Sequence, residues 1–342
     1  MSKRLRIYHL LTKQTTLVPD RGDKINEISF LTALSQFADV YYNEQRFQPD
    51  LPDYGIQNKP IRPPKGHYDL YIIRNNLEIF RACPHPKVWV ASPYIQEAFE
   101  EADAVFTFTE AWKHGLENFN TLPDAASTYF HDNYPADLKV PQKVINIGQT
   151  VSPHFFEPFD AQKCFRYEAL MGYGFSVGYF GRLEPHTMPN VFMNCVPDLA
   201  AMIKKLTLVF AGRISAPIDH SKAVVLPQIP YEDMPHATSA CKVILANEQR
   251  EGSWAGSIKP LEALVRGVPF LTTPRPVRIE QLGADYPLYY NTEAQLIEHM
   301  HRLVTDEAFL KEIQHYSRHR AKTFTVEKMA EKLQEKILPL LR

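Results

Sequence analysis

The stretch Gly252-Ser-Trp-Ala-Gly-Ser-Ile-Lys-Pro-Leu-Glu-Ala-Leu-Val-Arg-Gly-Val-Pro-Phe-Leu-Thr-Thr273 divides into a small-residue loop, a short amphipathic helix bearing one carboxylate, and a buried strand. Gly252, Ala255 and Gly256 let backbone approach a ligand closely. Ser257 is expected to cap the helix, whose unpaired N–H groups then make an anion site. Pro260 falls in the first turn, where its missing donor costs little. Glu262 lies one turn further in, within reach of hydroxyl groups held at the helix start. Gly267 ends the helix, and Val268-Pro-Phe-Leu-Thr-Thr273 returns to the core. The same order of elements also serves as plain α/β scaffolding, so the rest of the chain must decide.

At 342 residues the chain exceeds one ordinary core, and two domains are expected. A hydrophobic fraction of 44% with 23% charged residues is that of a globular protein. The net charge of −1 argues against a protein that lives on nucleic acid by electrostatics alone. Cys83, Cys164, Cys195 and Cys241 are far apart with no C-x-x-C pair, which reads as reduced thiols. The basic-then-apolar start, Met1-Ser-Lys-Arg-Leu-Arg-Ile-Tyr-His-Leu-Leu11, is too short for a secretory signal and lacks a cleavage site. No stretch approaches a membrane span, and a cytoplasmic location is expected, with peripheral membrane contact left open.

From the N-terminus, Leu5–Leu11 reads as a strand, Lys24–Phe37 as a helix with Ile25, Ile28, Leu31 and Leu34 at helical spacing, and Asp39–Tyr42 as a second strand. This is a βαβ unit without G-x-G-x-x-G, so no dinucleotide fingerprint is present. Residues 44–66 read as loop; Tyr68–Ile73, Lys87–Ala91, Ala104–Thr109 and Lys143–Ile147 continue the strands. Residues 148–174 read as a connection with little periodicity. A second series follows, with strands at Phe175–Phe180, Leu206–Phe210, Ala223–Leu226, Val243–Ala246 and Val268–Thr272. From Thr292 three amphipathic helical segments close the chain. The pattern predicts two consecutive doubly wound α/β domains with a cleft between them. The first is expected over 1–150 and the connection over 151–174. The second then spans 175–322, and a closing helix over 323–342 packs back on the first.

Several pieces fall in the order found in retaining glycosyltransferases of the GT-B type, particularly glycosyltransferase family four. Val144-Ile-Asn-Ile-Gly-Gln-Thr-Val-Ser-Pro-His-Phe-Phe-Glu-Pro158 resembles that family's inter-domain segment. Ser176-Val-Gly-Tyr-Phe-Gly-Arg-Leu183 and Thr207-Leu-Val-Phe-Ala-Gly-Arg213 resemble the first two strands of its nucleotide domain. Residues 224–247 resemble the stretch passing the nucleobase, Lys259–Thr273 resembles the helix and strand after the phosphate loop, and Phe324–Leu333 resembles the closing helix. The resemblance runs from about Val144 to the C-terminus; Ala102–Lys113 adds a family-like strand and helix to a first half that is otherwise similar only in architecture.

The resemblance implies a GT-B fold, with two Rossmann-like doubly wound parallel-sheet domains facing a cleft. It implies transfer of a sugar from a nucleotide diphosphate sugar, as substrate rather than cofactor, to a hydroxyl of a glycan or other acceptor. Retention of configuration, no metal and a place in glycan biosynthesis are also implied. Arg182 and Lys259 would meet the diphosphate and Glu262 the ribose. Gly181 and the backbone of Ala255, Gly256, Ser257 and Ile258 would cradle the donor, with Gln228, Ile229 and Pro230 against the base. Two departures stand out. No lysine follows Arg182 at short range, where the chain has Leu183-Glu-Pro-His-Thr-Met-Pro-Asn190. The first glutamate of the family's Glu-x7-Glu motif is replaced by Trp254, with Glu251 nearby. On the acceptor side Gly22, Ser92 and Tyr94 are candidates, with Asn75 and Asn76 as further polar groups at a strand end. Alternatives on the same fold are a sugar-nucleotide epimerase or phosphorylase, a phage-type DNA base glycosyltransferase using Lys59–Lys65 and Arg318–Lys322, and an inactive nucleotide-binding relative.

Overall fold

The structure, a computed structural model, describes residues 4–11, 17, 22–92, 94–121, 134–135, 137–181, 183, 189–215, 223–245 and 256–342. The chain divides into two compact units.

The first unit comprises Met1–Ser152, Gly252–Gly256 and Phe324–Arg342. Its elements run β1 (Leu5–Leu11), α1 (Gly22–Ser35), β2 (Ala38–Tyr42), β3 (Gln45–Arg46), β4 (Leu70–Arg74), α2 (Leu77–Ala82), β5 (Lys87–Val90), α3 (Gln96–Glu101), β6 (Ala104–Thr107), α4 (Glu110–Glu117) and β7 (Val144–Asn146). The strands form one sheet in the order β3-β2-β1-β4-β5-β6-β7, parallel except for β3. Ile7 pairs with Val40 on one side and Leu70 on the other. Leu-Tyr-Ile-Ile of β4, all of β5 and all of β6 are buried. Continuous apolar strands of this kind need a helix layer on each face. Sequence order reverses between β1 and β4, so their carboxyl ends form a topological switch point. Trp89 and Trp112 fill the core; Trp112 Nε1 donates to Tyr134 Oη at 2.9 Å, and that hydroxyl donates to the Ala91 carbonyl.

The second unit comprises Pro153–Glu251 and Ser257–Thr323. Its elements are α5 (Ala161–Leu170), β8 (Phe175–Phe180), α6 (Asn190–Met202), β9 (Leu206–Ala211), β10 (Ala223–Leu226), α7 (Met234–Ala240), β11 (Val243–Leu245), α8 (Lys259–Arg266), β12 (Phe270–Leu271), α9 (Pro276–Leu282), α10 (Glu293–Thr305) and α11 (Glu307–Ala321). The sheet is wholly parallel, in the order β10-β9-β8-β11-β12, with its switch point between β8 and β11. Gly181 and Gly212 end β8 and β9 side by side. At Gly212, φ is +121°, and a Cβ would sit 2.5 Å from the Gly181 carbonyl oxygen. Only glycine fits there.

The last helix, α12 (Val326–Ile337), belongs to the first unit and packs on α1. It buries Val326, Met329, Ala330, Leu333 and Ile337, one helical face, and Thr325 caps it by accepting the Lys328 N–H. The expected connection over 148–174 contains α5. Asp160 caps that helix, and Cys164, Tyr167 and Met171 bury a three-to-four spacing too sparse to register as a periodic pattern. The expected strand over 268–272 is only two residues long. Among the described residues no helix is long and apolar enough to cross a membrane.

Candidate functional site

In the second unit the polar groups gather at the switch point. Gly181 leaves β8 with φ at +132°, and a Cβ there would collide with Lys259 Nζ. Lys259 is the first residue of α8, and its ammonium lies 4.8 Å from the centre of the Tyr179 ring. The lysine thus reaches from the helix start across the end of β8. Glu262, one turn along α8, is 7% exposed. Burial pushes its carboxyl up to about 7, although Lys259 opposes the shift. Burial likewise brings the Lys259 ammonium down to about 8, with Glu262 opposing and Arg278 adding. Acid and base stand close to neutrality, where a bound anion or hydroxyl can decide their charge.

The start of α8 differs from the sequence expectation in one respect. The capping position is Ile258, without a side-chain cap, and the Ser257 hydroxyl instead accepts the Lys259 N–H at 3.3 Å. Pro260 has no donor, and the Leu261 and Glu262 amides both bond to the Ile258 carbonyl. Within the described residues no acceptor takes the Ser257 or Ile258 N–H. These two amides, with the positive end of α8, are the groups left for an anion.

Arg278 and Gln281 of α9 escaped the sequence reading. Gln281 Nε2 donates to the Ser257 carbonyl at 2.8 Å, and Arg278 Nη1 donates to Gln281 Oε1 at 2.6 Å and toward the same carbonyl at 3.5 Å. Pro276-Val-Arg-Ile-Glu-Gln281 lies between the expected strand at 268–272 and the helices from Thr292, where the sequence pattern assigns no element. The available signal was that Val277, Arg278, Gln281 and Leu282 share one face.

Ile229 is buried after β10, while Gln228 and Pro230 are exposed beside it. Arg213 is exposed. Arg182, His186, Glu251, Trp254 and Ala255 lie outside the described residues. Gly256 is grouped with the first unit, where its carbonyl accepts from Gln149 Nε2 at 3.2 Å.

The first unit has its own polar cluster. A cavity of about 200 Å³ is lined in part by Asn26, Arg74, Ser92, Trp112, Gln149 and Thr150. Arg74, at the carboxyl end of β4, donates through Nε to the Ser92 carbonyl at 2.8 Å and through Nη1 toward Glu27 at 3.5 Å. Glu27 is 1% exposed and also contacts His9 Nε2. Burial alone would raise the Glu27 carboxyl, but His9 and Arg74 hold it below the ordinary carboxylate value. The sequence hid this cluster because Glu27 and His9 sit inside apolar patterns. Ser92 therefore borders the cavity. Tyr94 packs against Phe99 and Tyr134, outside the cavity lining. Gly22 is the first residue of α1. Asn76 is used as the cap of α2, accepting the Ile79 N–H.

No family model and no curated protein matches the chain. Solved structures do. The chain is similar to Anabaena Alr3699/HepE in complex with UDP and glucose, at 14% identity and TM-score 0.66 over 98% of this chain and 100% of that one. It is similar to sucrose-phosphate synthase from Thermosynechococcus elongatus, at 13% identity and TM-score 0.68 over 98% and 99%. The pneumococcal O-GlcNAc transferase GtfA, in complex with UDP and GlcNAc, is similar at 14% identity and TM-score 0.55 over 80% of this chain and 57% of that one. At these identities the likeness is one of fold. The fold is GT-B: two Rossmann-like α/β units built on parallel sheets.

Proposed function

We propose that the protein is a retaining glycosyltransferase of the family-four kind, moving a hexose-like sugar from a nucleotide diphosphate sugar to an acceptor hydroxyl. The observation that carries this reading is the convergence of Gly181, Lys259 and Glu262 where the second sheet changes direction, at the start of α8. In open α/β sheets this is where ligands bind. Breaking the glycosyl bond leaves negative charge on the diphosphate, and cations fixed nearby stabilise the charge as it develops. Lys259, with Arg182, supplies those cations in this reading. The amides of Ser257 and Ile258, which have no acceptor among the described residues, hold the phosphates in this reading together with the backbone of Ala255 and Gly256. Glu262 accepts hydrogen bonds from the ribose, and Gln228, Ile229 and Pro230 border the base. Retention follows if the departing phosphate takes the acceptor proton on the face it leaves.

In this reading the acceptor, a glycan or another hydroxyl compound, binds the first unit, where Ser92 and Arg74 line a polar cavity. In this reading no metal or cofactor is needed, because protein cations and amides neutralise the leaving group. The work would be done in the cytoplasm, in glycan biosynthesis. A thermal-shift screen of nucleotide diphosphates and their sugars tests the reading, since binding to the native state raises the melting temperature. Glu262→Ala and Arg182→Ala should each weaken binding of the best ligand by about 1–3 kcal/mol in calorimetry. Unchanged affinity in both would put the site elsewhere.

A further inference from the structure

Arg278 is a buried guanidinium, 6% exposed. Its neighbours are the Gln281 side chain, the Ser257 carbonyl and, at 6.0 Å, the Phe270 ring. Among the described residues no carboxylate pairs with it. Of the titratable groups around it, Arg275 depresses it and Tyr289 opposes that shift, while Arg278 in turn depresses Lys259. Burial and Arg275 bring it down to about 10, so it still carries its charge at neutral pH. A buried cation without a counter-ion is expensive to keep.

The Ser257 carbonyl and the Ile258 N–H belong to one planar peptide and point in opposite directions. Gln281 and Arg278 hold the carbonyl on the α9 side. The Ile258 N–H is thereby turned away from α9, and no acceptor among the described residues takes it. Drawing electron density toward a hydrogen-bonded carbonyl also makes the N–H of the same peptide a better donor.

We propose that Arg278 and Gln281 are positioning residues for the diphosphate: they lock the Ser257–Ile258 peptide with its N–H toward the phosphates, and the bound diphosphate supplies the counter-ion that Arg278 lacks among the described residues. This rests on the nucleotide-sugar reading of the same site. Neither side chain touches the reacting atoms. They act through one peptide unit and through charge.

The test uses the full chain, with inorganic pyrophosphate, the tightest-binding of UDP, GDP and ADP, and the matching nucleoside as probes, measured by calorimetry and ligand-observed NMR. Arg278→Met should lower affinity for pyrophosphate and for the diphosphate by about tenfold or more, while changing nucleoside affinity less than about twofold. Without ligand two effects oppose each other in its melting temperature, relief of the buried charge and loss of the donor to Gln281 Oε1, so the ligand affinities carry the test. Gln281→Leu should lose about threefold on the same phosphates. Arg278→Lys should recover part of the affinity, since the charge returns without the fork. Two results would overturn the proposal: undiminished pyrophosphate binding by Arg278→Met, or equal weakening of diphosphate and nucleoside. If the wild type binds neither pyrophosphate nor any diphosphate, the nucleotide reading itself fails. If the wild type binds and Arg278→Met binds equally, only the role of Arg278 fails.

Discussion

Replacing Glu262 with glutamine separates what this carboxylate costs the fold from what it does for the ligand. Its carboxyl stands near 7 in the folded protein, against an ordinary value of 4.5, because burial disfavours the charged form. Between those two values the folded state holds a proton that the unfolded chain has already released. Stability therefore falls as pH rises through the window. At 1.36 kcal/mol for each tenfold step, burying this carboxyl costs about 3 kcal/mol at pH 8 and about 1 kcal/mol at pH 5.5. Glutamine has nearly the same shape and does not titrate. The stability of Glu262→Gln relative to the wild type should thus rise by about 2 kcal/mol between pH 5.5 and pH 8. Lys259, brought down to about 8 from 10.5, contributes mainly at higher pH, with the opposite slope. Hydrogen exchange of the β8 and α8 amides reads this unit by itself. The same variant should bind the nucleotide diphosphate roughly five- to 150-fold more weakly, the equivalent of about 1–3 kcal/mol. A stability difference that stays constant from pH 5.5 to pH 8 would refute the buried, proton-binding carboxyl.

Gly212→Ala should destabilise the protein by about 3 kcal/mol or more, because its Cβ meets the Gly181 backbone and φ is +121°; thermal unfolding checks this. Gly181→Ala meets only the tip of Lys259, so it should cost less stability but displace the ammonium and weaken nucleotide binding in calorimetry. Arg74→Met leaves Glu27 buried with His9 as its one described ionic partner, and should cost about 3–5 kcal/mol. Adding Glu27→Gln should return much of that loss, and a double-mutant cycle in urea measures the coupling.

The opening stretch shows how far local reading reaches. The helix at Lys259–Arg266, its proline in the first turn and its glycine stop, with Gly267 at φ +66°, were all legible, because each depends on residues within one turn of itself. Ser257 does offer its hydroxyl to the first helical N–H, but the N-cap position itself falls one residue later, at Ile258. A capping signal marks a region, while the position used depends on where the neighbouring carbonyls lie, and the Ser257 carbonyl is taken by α9. The sequence over α5 reads as connection, since three buried positions in eight residues leave little periodicity to detect.

The polar clusters were the least legible part. His9, Glu27 and Arg74 come from three separate elements, and Ser257, Arg278 and Gln281 from two. A histidine in an apolar strand and an arginine in a short helix carry no mark of what will face them. Alternation and periodicity by themselves determined two parallel-sheet α/β series and the buried face of their periodic elements, because those patterns arise from the 3.6- and 2-residue repeats of the backbone itself. Tertiary structure alone decided the strand orders, and with them the two switch points, and which charged side chains lose their water. Strand order and desolvation depend on segments far apart in the chain, and no local pattern encodes them.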